Sequence, residues 1–272
     1  MNEPRLDASR SAACLSAAAL LLCTFTACSQ PAKTTRQSQP TEPVPPAAPQ
    51  QEPSPQPQEP PAPQAREVFP GVRLNTAART VEFDAIIPIN AQDPDKPRIY
   101  LEVIACTRDT KEHEAVLMTT VRPSHVHAAL LLLGLESGSP GVWDWSGEQL
   151  VATPPAGPRV EISCTYTHEG TTRTVNPAEW VLDVNTGRTL AQSAGEHHWV
   201  FAGSQVYKRQ GRDYYRADVD GTLIGLHTFG GESIAWTQMF NPDSQVEEPH
   251  WIANKDALPP YGTAVTVTIT AQ

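Results

Sequence analysis

The sequence lacks the short motifs that mark the commonest catalytic and metal-binding sites. It contains no C-x-x-C pair, so neither a zinc knuckle nor a thioredoxin-type site is supported. It has neither the G-x-x-x-x-G-K-[ST] spacing of a phosphate-binding loop nor the G-x-S-x-G turn of a nucleophilic serine. Lys and Arg number 20 against 30 Asp and Glu, and the formal net charge is −10. Because non-specific nucleic-acid binding needs clustered positive charge, we expect no nucleic-acid partner.

The first residues have the features of a bacterial lipoprotein signal peptide. An apolar run at residues 12–27 follows two arginines and is shorter than the roughly 20 residues of a membrane-spanning helix. It ends in FTAC at residues 25–28, which resembles a lipobox with small residues beside the cut and a cysteine that accepts the lipid. We therefore predict a signal peptide over residues 1–27 and lipidation of Cys28, with membrane lipid as its partner. An uncleaved anchor or a fortuitous apolar stretch is the alternative.

A proline-rich spacer follows Cys28. Residues 29–65 are mostly Pro, Gln, Glu and Ser, and they offer too little apolar surface to offset the entropy of ordering. Residues 28–65 are therefore predicted to form a disordered linker, extended by proline at about 3.1 Å per residue, that tethers a domain to the membrane. A proline-rich ligand for partner domains is the alternative. Because Ser29 rather than aspartate follows the cysteine, we expect outer-membrane delivery, with the domain facing the periplasm or the cell exterior.

The folded domain is predicted over residues 66–272, with a split into two subdomains near 138–158 as the alternative. Its alternating apolar runs indicate an α+β fold that is predominantly antiparallel β, with one short helix at about residues 124–134. Ser124 is the expected N-cap of this helix and Gly134 the residue that ends it. Val126, Ala129, Leu130 and Leu133, spaced three and four apart, form the stripe that we expect to be buried. The segment 138–158 is predicted as loop, residues 159–167 and 171–175 as a hairpin of two strands, and residues 263–271 as a strand.

Two pairings of strands are also predicted. Strands at residues 98–106 and 113–121 are expected to pair antiparallel across a polar turn, and residues 214–239 are expected to form a meander of strands. The first pairing would place Cys106 opposite His113. A cysteine and a histidine together can form a thiol nucleophile or half of a metal site, so these two residues are the metal candidates. The plainer interpretation is a charged, solvated hairpin tip.

Three of the eight histidines lie close together in the sequence, at positions 113, 125 and 127. The predicted strand that starts at His113 separates it from the other two, since each strand residue advances about 3.3 Å. His125 and His127 are two positions apart and face different sides of a helix. We therefore expect structural or surface roles for these histidines rather than one shared ion.

Two cysteines remain in the predicted domain after lipidation of Cys28. Cys106 and Cys164 both fall in predicted strands of an exported protein, where a disulfide is permitted. A Cys106–Cys164 disulfide is one prediction, two buried free thiols are another, and a reactive thiol is the third.

Several segments resemble the YdjY-domain family of bacterial exported proteins. LEVIAC, KEHEAVL and RPSHVHAALLLLG match the family's strand ending in cysteine, its [KR]-E-H-E turn and its helix closed by glycine, and WVFAGS, YRADVDGTLIGL and GTAVTVTI match later blocks. Some relatives carry ferredoxin-like cysteine clusters, but this chain has no such run, so no iron–sulfur cluster and no other cofactor are expected. The resemblance implies a functional cluster, which consists of Cys106, Glu112, His113, Glu114 and His127.

Together these features predict a cell-envelope lipoprotein whose extracytoplasmic domain binds or scaffolds an unidentified protein or small molecule. The chain is not expected to be an enzyme. The alternatives are a metal- or redox-linked protein that uses Cys106 and His113, and an enzyme of unassigned class.

Overall fold

The computed structural model describes residues 64–147 and 149–272. The predicted signal peptide, Cys28 and most of the predicted tether lie outside these residues. The described residues belong to one compact unit. Among the described residues, no helix has both the length and the apolar character needed to cross a membrane.

The described chain is built mostly from β-strands. The strands are β1 (Arg66–Phe69), β2 (Val72–Asn75), β3 (Thr80–Ile86), β4 (Val103–Thr107), β5 (Ala115–Thr119), β6 (Val142–Ser146), β7 (Gln149–Thr153), β8 (Arg159–His168), β9 (Thr171–Val175), β10 (Val181–Asp183), β11 (Trp199–Val200), β12 (Val206–Arg209), β13 (Arg212–Tyr215), β14 (Thr222–Gly225), β15 (Ile234–Trp236), β16 (Trp251–Ala253) and β17 (Ala264–Ala271). The helices are α1 (Pro123–Leu132), α2 (Leu190–Ser193) and α3 (Arg216–Asp220), with 3₁₀ turns at Glu112–Glu114 and Pro177–Trp180.

Eight strands close into a ring in the order β3-β17-β8-β11-β15-β14-β4-β5, and β5 pairs back with β3. Strands β1 and β2 continue the sheet beyond β3, and β9 pairs with β8. The predicted α+β class is therefore wrong, because the domain is mostly β and its sheet is closed. Closure joins strands far apart in the sequence, which a pattern within each strand does not reveal.

Two neighbouring pairs in the ring are parallel, which corrects both predicted pairings. Strands β4 and β5 run parallel, with Cys106 opposite Met118, and the turn at Glu112–Glu114 brings the chain back between them. Strands β14 and β15 are also parallel, and Arg216–Asp220 is helical rather than part of a meander. A short polar connection is typical of a hairpin, but here it returns the chain to the level of Val103, so that β5 starts beside the beginning of β4.

The predicted helix is present as α1, with corrected ends. It begins at Pro123, and the Ser124 hydroxyl donates to Asp218 at 2.7 Å instead of capping the helix. Gly134 follows the helix with a φ of 82°, the left-handed conformation expected there. The predicted apolar stripe is buried and consists of Val126, Ala129, Leu130 and Leu133.

The remaining elements surround the ring. The segment 138–158, predicted as loop, contains the antiparallel hairpin β6–β7, and β12–β13 forms another separate hairpin. Every ring strand contributes side chains to one continuous apolar core, for example Phe83 of β3, Val267 of β17 and Leu117 of β5. Because the core occupies the apolar face of the ring strands, the places left for functional polar groups are the ends of the ring, its outer side and the loops.

Candidate functional site

The structure separates the two residues of the predicted thiol–imidazole pair. Cys106 is fully buried in a small apolar cluster with Val103 and Ala115. The His113 side chain is 79% exposed, and its Nε2 lies 3.6 Å from Glu114 Oε2. In the parallel pair Cys106 is opposite Met118, and His113 precedes β5 in the turn at Glu112–Glu114. The predicted apposition of Cys106 and His113 is wrong.

Both cysteines are buried free thiols, which contradicts the predicted disulfide. Cys106 lies on β4 and Cys164 on β8, and three strands separate β4 from β8 in either direction around the ring. Burial raises the pKa of the Cys106 thiol to about 11 and raises the pKa of Cys164 beyond its usual range. Since the thiolate is the reactive form, these environments suit neither a nucleophile nor a metal ligand.

Glu112 stabilises the turn that carries it. Its carboxylate accepts hydrogen bonds from the backbone N–H of Asp109 and, at 2.9 Å, from that of Thr110. Burial alone would raise the pKa of Glu112, but the backbone donors lower it below its ordinary value. Asp109 has a φ of 63°, so the carboxylate holds a turn with a left-handed residue. Glu112 thus has a structural role.

Beside this turn, Lys111 is surrounded by carboxylates that sequence reasoning did not connect. Its Nζ donates to Thr222 Oγ1 at 2.9 Å and lies 3.5 Å from the centroid of the Phe229 ring. Burial lowers the pKa of Lys111, and nearby carboxylates oppose that shift. These carboxylates are Glu114, Asp220, Glu102 and Glu232.

Two of these carboxyl groups share a half-buried site. Burial and the adjacent charge of Glu114 raise the pKa of Glu102, and a hydrogen bond between the two side chains acts in the same direction. A like charge and a hydrogen bond from a neighbouring carboxyl group both favour the protonated form of Glu102. Glu114, a predicted site residue, therefore belongs to a pair with Glu102 rather than with Cys106.

Glu232 is the buried end of this cluster. Its side chain has no exposed surface, Oε1 accepts from the backbone N–H of Gly230 at 3.0 Å and from that of Phe229, and Oε2 has no partner. Burial raises the pKa of Glu232, against the effect of the backbone donors and Lys111. A buried carboxyl with a free oxygen is typical of groups that hold or transfer a proton.

A second chain of polar groups reaches the same loop from α1. His127 Nδ1 lies 3.0 Å from the Tyr215 hydroxyl, which lies 2.9 Å from Ser233 Oγ. Burial lowers the pKa of His127 and raises that of Tyr215 above its usual range. Since Ser233 follows Glu232, this chain and the Lys111 cluster meet at one segment. We call the two together the polar network; its members are Glu102, Lys111, Glu114, His127, Tyr215, Glu232 and Ser233.

Arg216 holds the loop of the polar network in place. Its guanidinium donates to the backbone carbonyls of Gly230 and Phe229, each at 3.0 Å, and to Asp220 at 2.9 Å. Of the predicted cluster, Glu114 and His127 are members of the network, His113 lies at its exposed edge beside Glu114, and Cys106 and Glu112 are not members. The sequence feature that could have identified Glu232 is its place in FGGESIAW, where a single carboxylate precedes a buried strand.

In the described part of the chain, no three His, Cys, Asp or Glu side chains are arranged to hold a metal ion.

A cleft of about 490 Å³ lies away from the polar network, between β8 and the segment around α2. The Trp199 and Trp236 rings meet there with centroids 4.8 Å apart, and both indole N–H groups are buried without a partner. The sequence pattern had not indicated this cleft. Its lining includes Arg159, Ser163, Asn176, His197, Trp199 and Trp236.

The cleft coincides with an interruption in the sheet. β8 pairs with β11 only at Arg159 and Val160, and its pairing with β9 begins at Cys164. No described strand therefore lies beside residues 161–163 on that side. Because a two-residue turn joins β8 and β9, the alternation of the ladder directs the N–H and C=O of Ile162 into this gap. The cleft thus offers backbone hydrogen-bonding groups beside the two indoles.

Comparison with known proteins agrees with the sequence resemblance. The family model described as YdjY domain matches residues 72–270. Neither the curated proteins nor the solved structures include a significant match. The matched residues span nearly the whole ring, the polar network and the cleft. Because the match covers well over half of the sequence, the chain belongs to the YdjY-domain family.

Proposed function

We propose that this chain is a lipoprotein of the cell envelope, held in the membrane by acylated Cys28, and that its YdjY domain binds a ligand outside the cytoplasm. The observation that supports the anchor is the sequence FTAC at residues 25–28, after an apolar run of signal-peptide length. The proline-rich composition of residues 29–65 supports a tether between lipid and domain. Ser29 favours the outer membrane as the destination.

Mass spectrometry of the full chain expressed in a bacterial host tests the anchor. We expect a mature N-terminal peptide that starts at Cys28 and carries acyl chains. Cys28→Ala should leave the chain unprocessed, whereas Cys23→Ala, a matched control in the same apolar run, should not change the product. A mature N-terminus at any other residue refutes the anchor.

The observation that supports ligand binding is the cleft with its unpaired donors. The backbone N–H and C=O of Ile162 face the cleft, so a ligand that paired with them would continue the interrupted ladder and gain affinity. Apolar walls with a few convergent polar groups are typical of sites for small molecules or short peptide segments. The buried thiols supply no nucleophile, so binding fits this domain better than thiol catalysis.

Native mass spectrometry of the full chain, purified from the envelope in mild detergent, tests the cleft. We expect an added mass on the wild-type chain and its loss in Ala191→Trp, which fills the cleft. Ala257→Trp, at an exposed position away from the cleft, should retain the added mass. The cleft proposal fails if both variants retain the added mass, or if the wild-type chain carries none.

A further inference from the structure

The hairpin β12–β13 stands apart from the ring as a separate two-stranded sheet. Every residue from Val206 to Asp213 is exposed. Gln210 and Gly211 form its two-residue turn with φ angles of 51° and 74°, which fit the type I′ turn that matches the twist of paired strands. The hairpin is therefore a defined projection whose tip is free to contact a partner.

The tip of the hairpin concentrates positive charge that has no partner in the domain. Arg209 and Arg212 lie directly opposite each other across the two strands. Like charges in opposed positions weaken a hairpin. Among the described residues, neither of these arginines forms an ion pair, whereas Lys208, on the other face of the hairpin, lies opposite Asp213. In a chain of net charge −10, this unpaired basic tip indicates a partner of negative charge.

Aromatic side chains share the face that carries the two arginines. Tyr207 is directly opposite Tyr214, and their rings are stacked with centroids 5.8 Å apart. Because side chains alternate along a strand, Tyr207 and Arg209 lie on one face of the hairpin, together with Tyr214 and Arg212. Tyrosines beside basic residues are the composition found where proteins meet the headgroup layer of a membrane.

We propose that this hairpin docks onto anionic lipid headgroups of the membrane in which the acyl chains are anchored; the inference rests on the proposed lipid anchor. The attraction of the two arginines on this face to an anionic surface is weak in isolation. A tether makes the contact intramolecular and raises the effective concentration of the membrane. Since charges are screened beyond about 8 Å at physiological salt, the acidic remainder of the domain does not prevent a contact made by a projecting tip.

The experiment uses the full acylated chain carrying Gln210→Cys, labelled at the hairpin tip with an environment-sensitive dye. The chain is incorporated into vesicles of zwitterionic phosphatidylcholine, or of phosphatidylcholine mixed with anionic phosphatidylglycerol. We expect a blue shift of the dye emission in the anionic vesicles alone, and its loss at high salt. Arg209→Glu with Arg212→Glu should abolish the shift. Arg98→Glu with Arg173→Glu, which changes the net charge equally at exposed positions elsewhere, should preserve it.

The outcomes separate this inference from the anchor on which it rests. Flotation of the vesicles in a density gradient reports whether the chain is anchored. If the chain floats with both kinds of vesicle but the dye emission does not shift in the anionic ones, the hairpin contact is overturned and the anchor stays in place. Failure to float with either kind overturns the anchor, and the docking proposal with it. An equal shift in zwitterionic vesicles, or a shift that survives reversal of both hairpin arginines, also overturns docking to anionic lipid. So does a shift that appears in zwitterionic vesicles only when soluble polyphosphate is added, since that result assigns the tip to a soluble polyanion.

Discussion

Glu232 is a carboxylic acid in a place where its charge is poorly solvated. One carboxylate oxygen accepts backbone N–H groups, while the other is buried without a partner. Lys111 lies close enough to stabilise the charge, but burial has the larger effect and raises the pKa. Folding therefore favours the protonated side chain, and this makes the stability of the domain depend on pH.

We expect Glu232→Gln to stabilise the chain at neutral pH. A carboxyl with a raised folded pKa contributes stability below its unfolded pKa, which is 4.5, and that contribution is lost as pH rises through the folded pKa. The neutral amide keeps an acceptor for the backbone N–H groups. The free energy of unfolding of the variant, minus that of wild type, should therefore be about 1–3 kcal/mol larger at pH 7 than near pH 4. Urea denaturation at both pH values measures the change.

Glu136→Gln is the matched control for Glu232, because it removes the same charge from an exposed side chain. It should alter the pH dependence little. The pKa of Glu102 is also raised, so part of the gain in stability at acid pH should persist in Glu232→Gln. An equal difference between wild type and Glu232→Gln at both pH values would contradict a raised pKa for Glu232.

Among the elements, α1 shows how much a local pattern determines. Its apolar residues at spacings of three and four predicted both the helix and the face that is buried, and the structure confirms both. The N-cap was wrong because the Ser124 hydroxyl bonds to Asp218, a residue of α3 that is distant in sequence. Leu130 is buried and Leu132 is exposed, because residues two positions apart lie on different faces of a helix.

Leu130→Ala should lower the free energy of unfolding by about 2–5 kcal/mol, because Leu130 is fully buried and its truncation leaves a cavity. Leu132→Ala, two positions later on the same helix, removes a side chain that is 58% exposed and should change stability by no more than about 0.5 kcal/mol. Chemical denaturation monitored by circular dichroism compares the two variants. Equal effects would mean that the buried face of α1 is assigned incorrectly.

At the scale of the whole molecule, the closed ring couples every strand to two neighbours. The closure between β3 and β5 consists of the pairs Ala85–Thr119 and Ile86–Met118, with the Thr119 hydroxyl donating to the Asp84 carbonyl at 2.7 Å. The core is continuous across all eight ring strands. Unfolding one part of the ring therefore exposes the apolar surface of its neighbours.

We expect the described domain of the full chain to unfold in one cooperative transition. Tryptophan fluorescence, which reports in part on Trp199 and Trp236 near the cleft, and far-ultraviolet circular dichroism should give the same denaturant midpoint. Leu130→Ala, on α1 outside the ring, should shift both midpoints together. Two separate midpoints, or a shift seen by one probe alone, would show that the domain divides into independent parts.

The sequence alone determined those features that depend on local periodicity and composition. Alternation predicted the long strands β8 and β17, the hairpin between β8 and β9, and the stripe of α1, because the backbone state sets which side chains share a face. Short segments of the sequence, such as KEHEAVL and WVFAGS, also indicated the YdjY family, which the family model confirms. The predicted lipidation of Cys28 is likewise a matter of local sequence, and it stays a prediction.

Only the tertiary structure decided which strands pair and what surrounds each polar side chain. The parallel pairing of β4 and β5 separated Cys106 from His113, and the ring placed Cys106 and Cys164 on opposite sides. The same closure buried Glu232 beside Lys111 and left the gap next to Ile162. These outcomes depend on contacts between residues far apart in sequence, whose apolar faces must be buried together. A local pattern specifies that a face is apolar, but it does not specify which distant strand covers it.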